Sequence, residues 1–492
     1  MKLLYNAKFY SMRKEEESFS ALLIDKGKIK EIFKNIPDLK NVEKIDLKKS
    51  FVYPGFVDTH THCFEGGLYS LGANLEKITC LNDVYEILSE TKSIDGKVFA
   101  FHFEENNVIE KRFPTAKELD RIYPENPVIL RRVDGHSCVI NTVASKKIKW
   151  EKSLPEDFNG HLKKSFNGQA VNWFHKDLSD EGTLQAYHQA AQVALKTGHT
   201  TIHTMIGNGY SDIKHFDLIQ KNLEKFPIDF ILYPQITDVD VALEIGSPRI
   251  GGCILADGSI GSHTAALLQH YEDQPDNYGV LYKTDEFWEA FILKAHKNNL
   301  QIAIHCIGDA AISQILKIYE KAQLSAPKHL QHAIIHNELT SDEMLDRMKK
   351  AGICTIMQPL FDRLWAGKNG LYETRLGKER TSRTTRLASV YNRGILLTGS
   401  SDWYVTDLSA LKGIDAAVRI HNPDERLTPF QAVEIYTKNA AKLTFDEDKS
   451  GTLEKDKQAD LVCLAQDIFA SERIDKIKIN YVFKKGKFLL KP

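Results

Sequence analysis

The chain has 492 residues, with 65 Lys and Arg against 66 Asp and Glu and a formal net charge of −1. So even a balance gives no general attraction to nucleic acid or to an anionic membrane. A chain of this length calls for a large domain of roughly 250 residues or more plus a second unit. No run of about 18 apolar residues occurs, so no membrane span is expected.

The N-terminal "MKLLYNAKFYSMRKEEE" has too short an apolar run for a secretory signal. Next, "FSALLIDKGKIKEIF" alternates around Lys26-Gly27 and predicts a hairpin. Eight apolar runs follow, each ending in polar residues: "FVDTHTH", "HTTIHTM", "IDFILYP", "GGCILADG", "LQIAIHCIGD", "LQHAIIHNE", "GICTIMQP" and "GILLTGSSDW". Helical patterns such as "TLQAYHQAAQVALKTG" and "DEFWEAFILKAHKNN" separate several of them. Buried strands alternating with helices predict a parallel sheet, and eight such units predict an α/β fold of the (β/α)8 TIM-barrel type. The site of such a barrel sits at the C-terminal strand ends. Between the first and second runs, about residues 68–190 carry strands of their own ("VFAFHFEE", "PVILRRVDGH") and read as an insertion over the barrel mouth. Strand-like stretches at both chain ends can pair, which predicts a small β domain of residues 1–53 with 448–492 beside a barrel of residues 54–447. The seven cysteines are scattered, with no CxxC pair. Free thiols and a cytoplasmic location are expected.

His60 and His62 form His-x-His at the end of the first strand, where alternate residues share a face. Two imidazoles so placed can ligate one metal, though two polar strand-end residues are the plainer reading. Asp402, in "TGSSDW", ends the eighth strand; a turn or helix-cap aspartate is its plainer reading.

Several motifs together resemble the amidohydrolase superfamily, in its YtcJ-like (amidohydrolase-3 type) branch. They are "VYPGFVDTHTH", "VDGHSCVIN", "ADGSIGSHTAAL", "AIHCIGDAA", "QHAIIHNELTSDEM", "TGSSDW" and "GTLEKDKQADLVCL", in that order. The resemblance implies a metal-dependent hydrolase acting on an amide or related carbon–nitrogen bond of a small molecule. It implies a barrel and a small β-sandwich built from both chain ends. It also implies His60, His62, His305, His332 and Asp402 as metal ligands, with Asp402 carrying a proton between a metal-activated water and the leaving group. His336 lies four residues beyond His332 and competes with it; the family register "QHA" selects His332. His136 is implied as catalytic and substrate-binding, and Asp257 and Ser259 as lining the mouth. Trp173, Trp365 and Trp403 are candidates for apolar walls or for ordinary packing.

The motifs also depart from the pattern. Ala310 and His263 stand where many relatives carry arginine, and Cys253 stands where binuclear relatives carry a carbamylated lysine. Three readings of Cys253 follow: a buried thiol, a thiolate that binds or bridges metal, or a lost ligand in a one-metal site. One or two divalent ions are expected, and a thiolate ligand favours zinc. A mononuclear deaminase or ester hydrolase, and a non-catalytic metal-binding protein, remain as alternatives. No nucleic-acid or membrane partner is expected, and a homodimer is the default from symmetry alone.

Overall fold

The computed structural model describes residues 1–133, 137–176, 178–207 and 213–490. His136 is therefore outside the described residues. The chain divides into two compact units, Met1–His62 with Val193–Pro492, and Cys63–Gln192.

The first unit holds eight parallel strands. The first, Phe56–Thr61, pairs with the second, His199–Ile206, which pairs with the third, Asp229–Pro234. The fourth to eighth are Arg249–Leu255, Gln301–Cys306, Ala333–His336, Cys354–Met357 and Leu397–Gly399, and they pair in that order. Every residue of Gln301–Cys306 is buried, as expected of a parallel strand covered on both faces. Helices Asp309–Ser325, Asp342–Ala351 and Pro359–Trp365 follow the fifth, sixth and seventh strands. Asp342–Ala351 illustrates why such segments are helical. Ser341 caps its N-terminus by accepting from the Met344 amide, Asp342 and Glu343 occupy the first turn, and Lys349 and Lys350 the last. Gly352 closes it at φ 65°, and Met344, Leu345 and Met348 form its buried stripe.

The eight strands form one sheet of three and one of five. The third strand ends the sheet of three and the fourth begins the sheet of five, with no ladder between them among the described residues. Gly251 and Gly252 adopt φ of 97° and 80°, and the register shifts between Gly251 and Ile254. A Cβ on Gly251 would lie 2.3 Å from the Ala303 carbonyl oxygen, so only glycine fits there. A side chain spans this gap: Gln235 Nε2 donates to the Cys253 carbonyl at 2.9 Å. Between the first and eighth strands, Thr59 Oγ1 lies 2.9 Å from Thr398 Oγ1 and 3.0 Å from the Gly399 carbonyl. Just beyond, the Asp402 amide donates to the His60 carbonyl at 3.1 Å and the His62 amide to the Trp403 carbonyl at 2.6 Å. Met205, Tyr233, Cys253, Ala303, Ala333, Ile335, Cys354, Ile356 and Leu443 pack into one apolar cluster drawn from both sheets.

The two chain ends share one eight-stranded sheet. Its order is Lys487–Leu490, Ile479–Lys484, Leu461–Leu464, Glu43–Pro54, Lys2–Tyr10, Ala21–Asp25 and Lys28–Phe33, with Ser18–Phe19 beside Lys2–Tyr10. Lys26 and Gly27, at φ 48° and 80°, turn the hairpin expected there. Leu4, Phe9, Leu22, Val52, Leu461 and Phe483 share its main core.

The second unit has a separate five-stranded sheet, in the order His161–Lys163, Ser137–Ile140, Val128–Arg132, Val98–Phe103 and Ala73–Asn74. Its own core includes Leu75, Val84, Leu88, Phe103, Leu119 and Leu130. Among the described residues no helix is long and apolar enough to cross a membrane. All seven cysteines are free.

Candidate metal centre

Three overlapping groups of ligand-capable side chains meet at the C-terminal ends of the parallel strands. They are His60, His62 and Cys253; Cys253, His305 and His336; and His60, His336 and Asp402. Within each group the ligand atoms lie within 4.8 Å of one another. The alternation of the first strand delivers His60 and His62 together. Their Nε2 atoms stand 3.1 and 3.3 Å from Asp402 Oδ1. Asp402 sits at φ 54°, a left-handed turn residue just past the eighth strand.

The sixth strand brings His336, not the expected His332, to this cluster. His332 precedes its first residue, Ala333, and does not join the cluster. His332 Nδ1 accepts from the Ile302 amide at 3.1 Å, its Nε2 lies 2.8 Å from His296 Nδ1, and its ring stacks on Tyr319 at 5.2 Å. His336 is the last residue of that strand and occupies the place expected for His332. The physical reason is strand length. Residues at opposite ends of a four-residue strand cannot both reach its C-terminal edge, which is some 13 Å away at about 3.3 Å per residue. The clue in the sequence is the one that marks His305: a histidine closing an apolar run.

The other expected residues are placed differently. Asp257 is wholly buried, and its oxygens accept from the amides of Ala266, Ile307 and Gly308 at 2.9, 3.0 and 2.8 Å. It thus ties together the loops flanking His305. Ser259 lies in an exposed turn, its hydroxyl 2.8 Å from that of Ser262. Trp403 is buried, Trp365 packs edge-on to Phe361 at 4.5 Å, and Trp173 carries Lys97 over its ring at 4.3 Å. Two residues had not been singled out. Asp58 accepts from the amides of His60 and Ser401, at 3.1 and 2.9 Å, and so links the first strand to the eighth. Gln358 contacts His336.

Charge reinforces the arrangement. Burial pushes the Cys253 thiol up, but the surrounding His305, His336, His60 and His62 outweigh it and hold the group well below its ordinary value. Burial likewise raises Asp402, and His60 and His62 bring it well below the carboxylate range. Burial alone would lower His60; Asp402 and Cys253 instead lift it to about 9. Burial pushes Asp58 up to about 7.

The donor set fits a divalent cation. His60 Nδ1 and Nε2, His305 Nδ1, His336 Nε2 and Asp402 Oδ1 are buried and lack a hydrogen-bond partner, and buried polar atoms of native proteins rarely go without one. The remaining nitrogens are committed. His305 Nε2 is 3.1 Å from the Gly258 carbonyl and His336 Nδ1 is 2.8 Å from Gln358 Oε1. A thiolate and a carboxylate among neutral imidazoles would match the charge of one divalent ion.

The fold is that of metal-dependent hydrolases. A solved structure described as an uncharacterized metal-dependent hydrolase from Pyrococcus horikoshii OT3 superposes with a TM-score of 0.83 at 24% identity, covering 96% of this chain and 99% of that one. The residues 43–490 match the Amidohydrolase family model, and the chain belongs to that family. It is accordingly a hydrolase acting on carbon–nitrogen bonds. YtcJ of Bacillus subtilis (strain 168) is 26% identical over 96% of this chain and 95% of its own length. LONG AFTER FAR-RED 3 of Arabidopsis thaliana is 28% identical over 89% and 82% respectively.

Proposed function

We propose that the chain is a zinc-dependent amidohydrolase that cleaves an amide or related carbon–nitrogen bond of a small molecule. His60, His62, Cys253, His305, His336 and Asp402 would hold the metal. The convergence of four imidazoles on a single thiol, with the Asp402 carboxylate beside His60, His62 and His336, carries this reading. Cys253 belongs to both the His60–His62 group and the His305–His336 group, so its thiolate would be the ligand common to both, at the position where binuclear relatives carry a carbamylated lysine. We also read the two parallel sheets as arcs of one (β/α)8 barrel. The hydrogen bonds that cross both gaps support this. The chain-end sheet is then a small β domain built on one sheet, and residues 63–192 form a domain inserted after the first strand.

Held by these residues, a divalent ion would supply a water whose pKa is lowered towards about 7 and a Lewis acid for a carbonyl oxygen. Asp402 takes a proton from the water that attacks the carbonyl carbon. It returns that proton to the nitrogen as the carbon–nitrogen bond breaks, which gives a carboxylic acid and an amine. Asp58, through the His60 amide, holds the first strand in register with the eighth. Asp257 holds the loop that presents Gly258 to His305. His136 stays as a candidate for contacting the carbonyl.

Metal analysis of purified protein, X-ray absorption at the zinc edge and a panel of N-acyl and N-formyl amines test the reading. Up to two zinc per chain, a sulfur shell near about 2.3 Å that disappears in Cys253→Ala, and release of amine with acid are expected. Only nitrogen and oxygen neighbours around the metal would remove Cys253 from the ligand set. Release of ammonia without a carboxylic acid would replace amide hydrolysis with deamination.

A further inference from the structure

The geometry points to Gln358 and Ser400 as positioning residues that fix which nitrogen His336 offers to the metal. This rests on His336 being a ligand, as proposed above. Gln358 is wholly buried between the seventh strand and helix Pro359–Trp365. It stands at the helix N-cap, yet its side chain makes no capping bond. It turns inward instead. Gln358 Oε1 lies 2.8 Å from His336 Nδ1, and Gln358 Nε2 lies 2.8 Å from Ser400 Oγ.

Donors and acceptors along this chain have one consistent assignment. Ser400 Oγ donates its only proton to the Met357 carbonyl at 3.3 Å. At its other side it can therefore only accept, and the group facing it must be the amide NH₂ of Gln358. That orientation turns the Gln358 carbonyl oxygen towards His336. An amide oxygen only accepts, so His336 carries its proton on Nδ1. Its Nε2 is left as a lone pair, the same atom that is buried without a partner in the cluster. Phe361 stacks on the imidazole at 5.7 Å with 17° between the planes, which fixes the ring's tilt as well. Ser400 stands two residues before Asp402, so two hydrogen bonds through Gln358 tie the ligand of the sixth strand to the backbone that carries the carboxylate. Partners of this kind usually change metal affinity by 10- to 100-fold when removed.

Two measurements test the inference. In metal-free wild-type protein, ¹⁵N NMR of the histidine side chains should find His336 protonated on Nδ1. Zinc affinity, by competition with a chromophoric chelator, should fall about 10- to 100-fold in Gln358→Leu, and Gln358→Glu, which keeps an acceptor facing Nδ1, should recover most of it. Ser400→Ala frees the amide to turn over and should give a mixture of His336 tautomers, so it serves where Gln358→Leu does not fold. A wild-type proton on Nε2, a folded Gln358→Leu with unchanged zinc affinity, or a single unchanged tautomer in Ser400→Ala would overturn the inference while leaving zinc binding intact. Wild-type protein that takes up no zinc would overturn the reading of the site itself, and this inference with it.

Discussion

His332 offers a sharp test because two roles for it predict opposite behaviour. In the structure it is a buried neutral link: it accepts from the Ile302 amide through Nδ1, which leaves its Nε2 proton to donate to His296 Nδ1. His296 in turn donates to the Ala326 carbonyl at 2.7 Å. Protonating His332 would turn Nδ1 into a donor facing another donor. Burial, followed by the nearby His296 and Lys328, lowers its pKa from 6.5 to about 3. The unfolded chain therefore binds a proton between pH 6.5 and 3 that the folded chain refuses. Stability is fully present above pH 6.5 and is lost as the pH falls. The whole shift corresponds to about 5 kcal/mol, of which about 2 kcal/mol has gone by pH 5. His332→Phe keeps a ring against Tyr319 and removes the titration. At neutral pH it should cost about 1–3 kcal/mol for each partner left unpaired. Between pH 7.5 and 5, however, its urea midpoint should fall less than that of wild type, by the equivalent of about 2 kcal/mol. Equal acid slopes for the two proteins, or a folded-state titration of His332 between pH 6 and 7, would refute the reasoning.

Three further outcomes are expected. His336→Ala should lose most of its bound zinc, whereas His332→Phe should keep it; metal analysis of the two purified proteins decides, and the reverse pattern would return His332 to the ligand set. Asp402→Asn, assayed in excess zinc, should lower kcat by about 10²- to 10⁴-fold, and retention of wild-type turnover would exclude it as the proton carrier. Gly251→Ala must accommodate a Cβ 2.3 Å from the Ala303 carbonyl at φ 97°; its thermal midpoint should drop by several degrees, since such backbone strain costs at least about 1 kcal/mol, and an unchanged midpoint would show that the strand relaxes freely there.

Much of the architecture was legible because it depends on local pattern. Apolar runs such as "LQIAIHC" and "GICTIM" had the length and β-branched content of buried strands, and the residues closing them fell at one edge of the parallel sheets. Period two alone put His60 and His62 on a common face. On the sixth strand "QHA" pointed to His332, whereas His336 is the histidine that joins the cluster. Which of two histidines ends a strand depends on where pairing with neighbours begins and stops, and that is a long-range property. Asp257 shows a second limit. Its turn position was visible, but two of its three amide partners, Ile307 and Gly308, lie about fifty residues away. Gln358 gave no local signal at all. Its proposed role comes from His336, which ends the sixth strand, and Ser400, which follows the eighth.

The shared chain-end sheet also dictates when this protein can be finished. Tyr53, at the end of the strand that leads into the first parallel strand, accepts a hydrogen bond from the Ile468 amide 415 residues later. Leu461–Leu464 covers the same edge. At about 5–20 residues per second of synthesis, the edge of Glu43–Pro54 waits roughly 20–80 s for its partner. During that interval Lys2–Tyr10, Ala21–Asp25 and Lys28–Phe33 can pair among themselves, but the edge facing the C-terminal strands stays open to any other extended segment on the ribosome. A nascent chain that stalls before residue 461 would thus present a sticky strand at its oldest end, where a chaperone would be expected to bind.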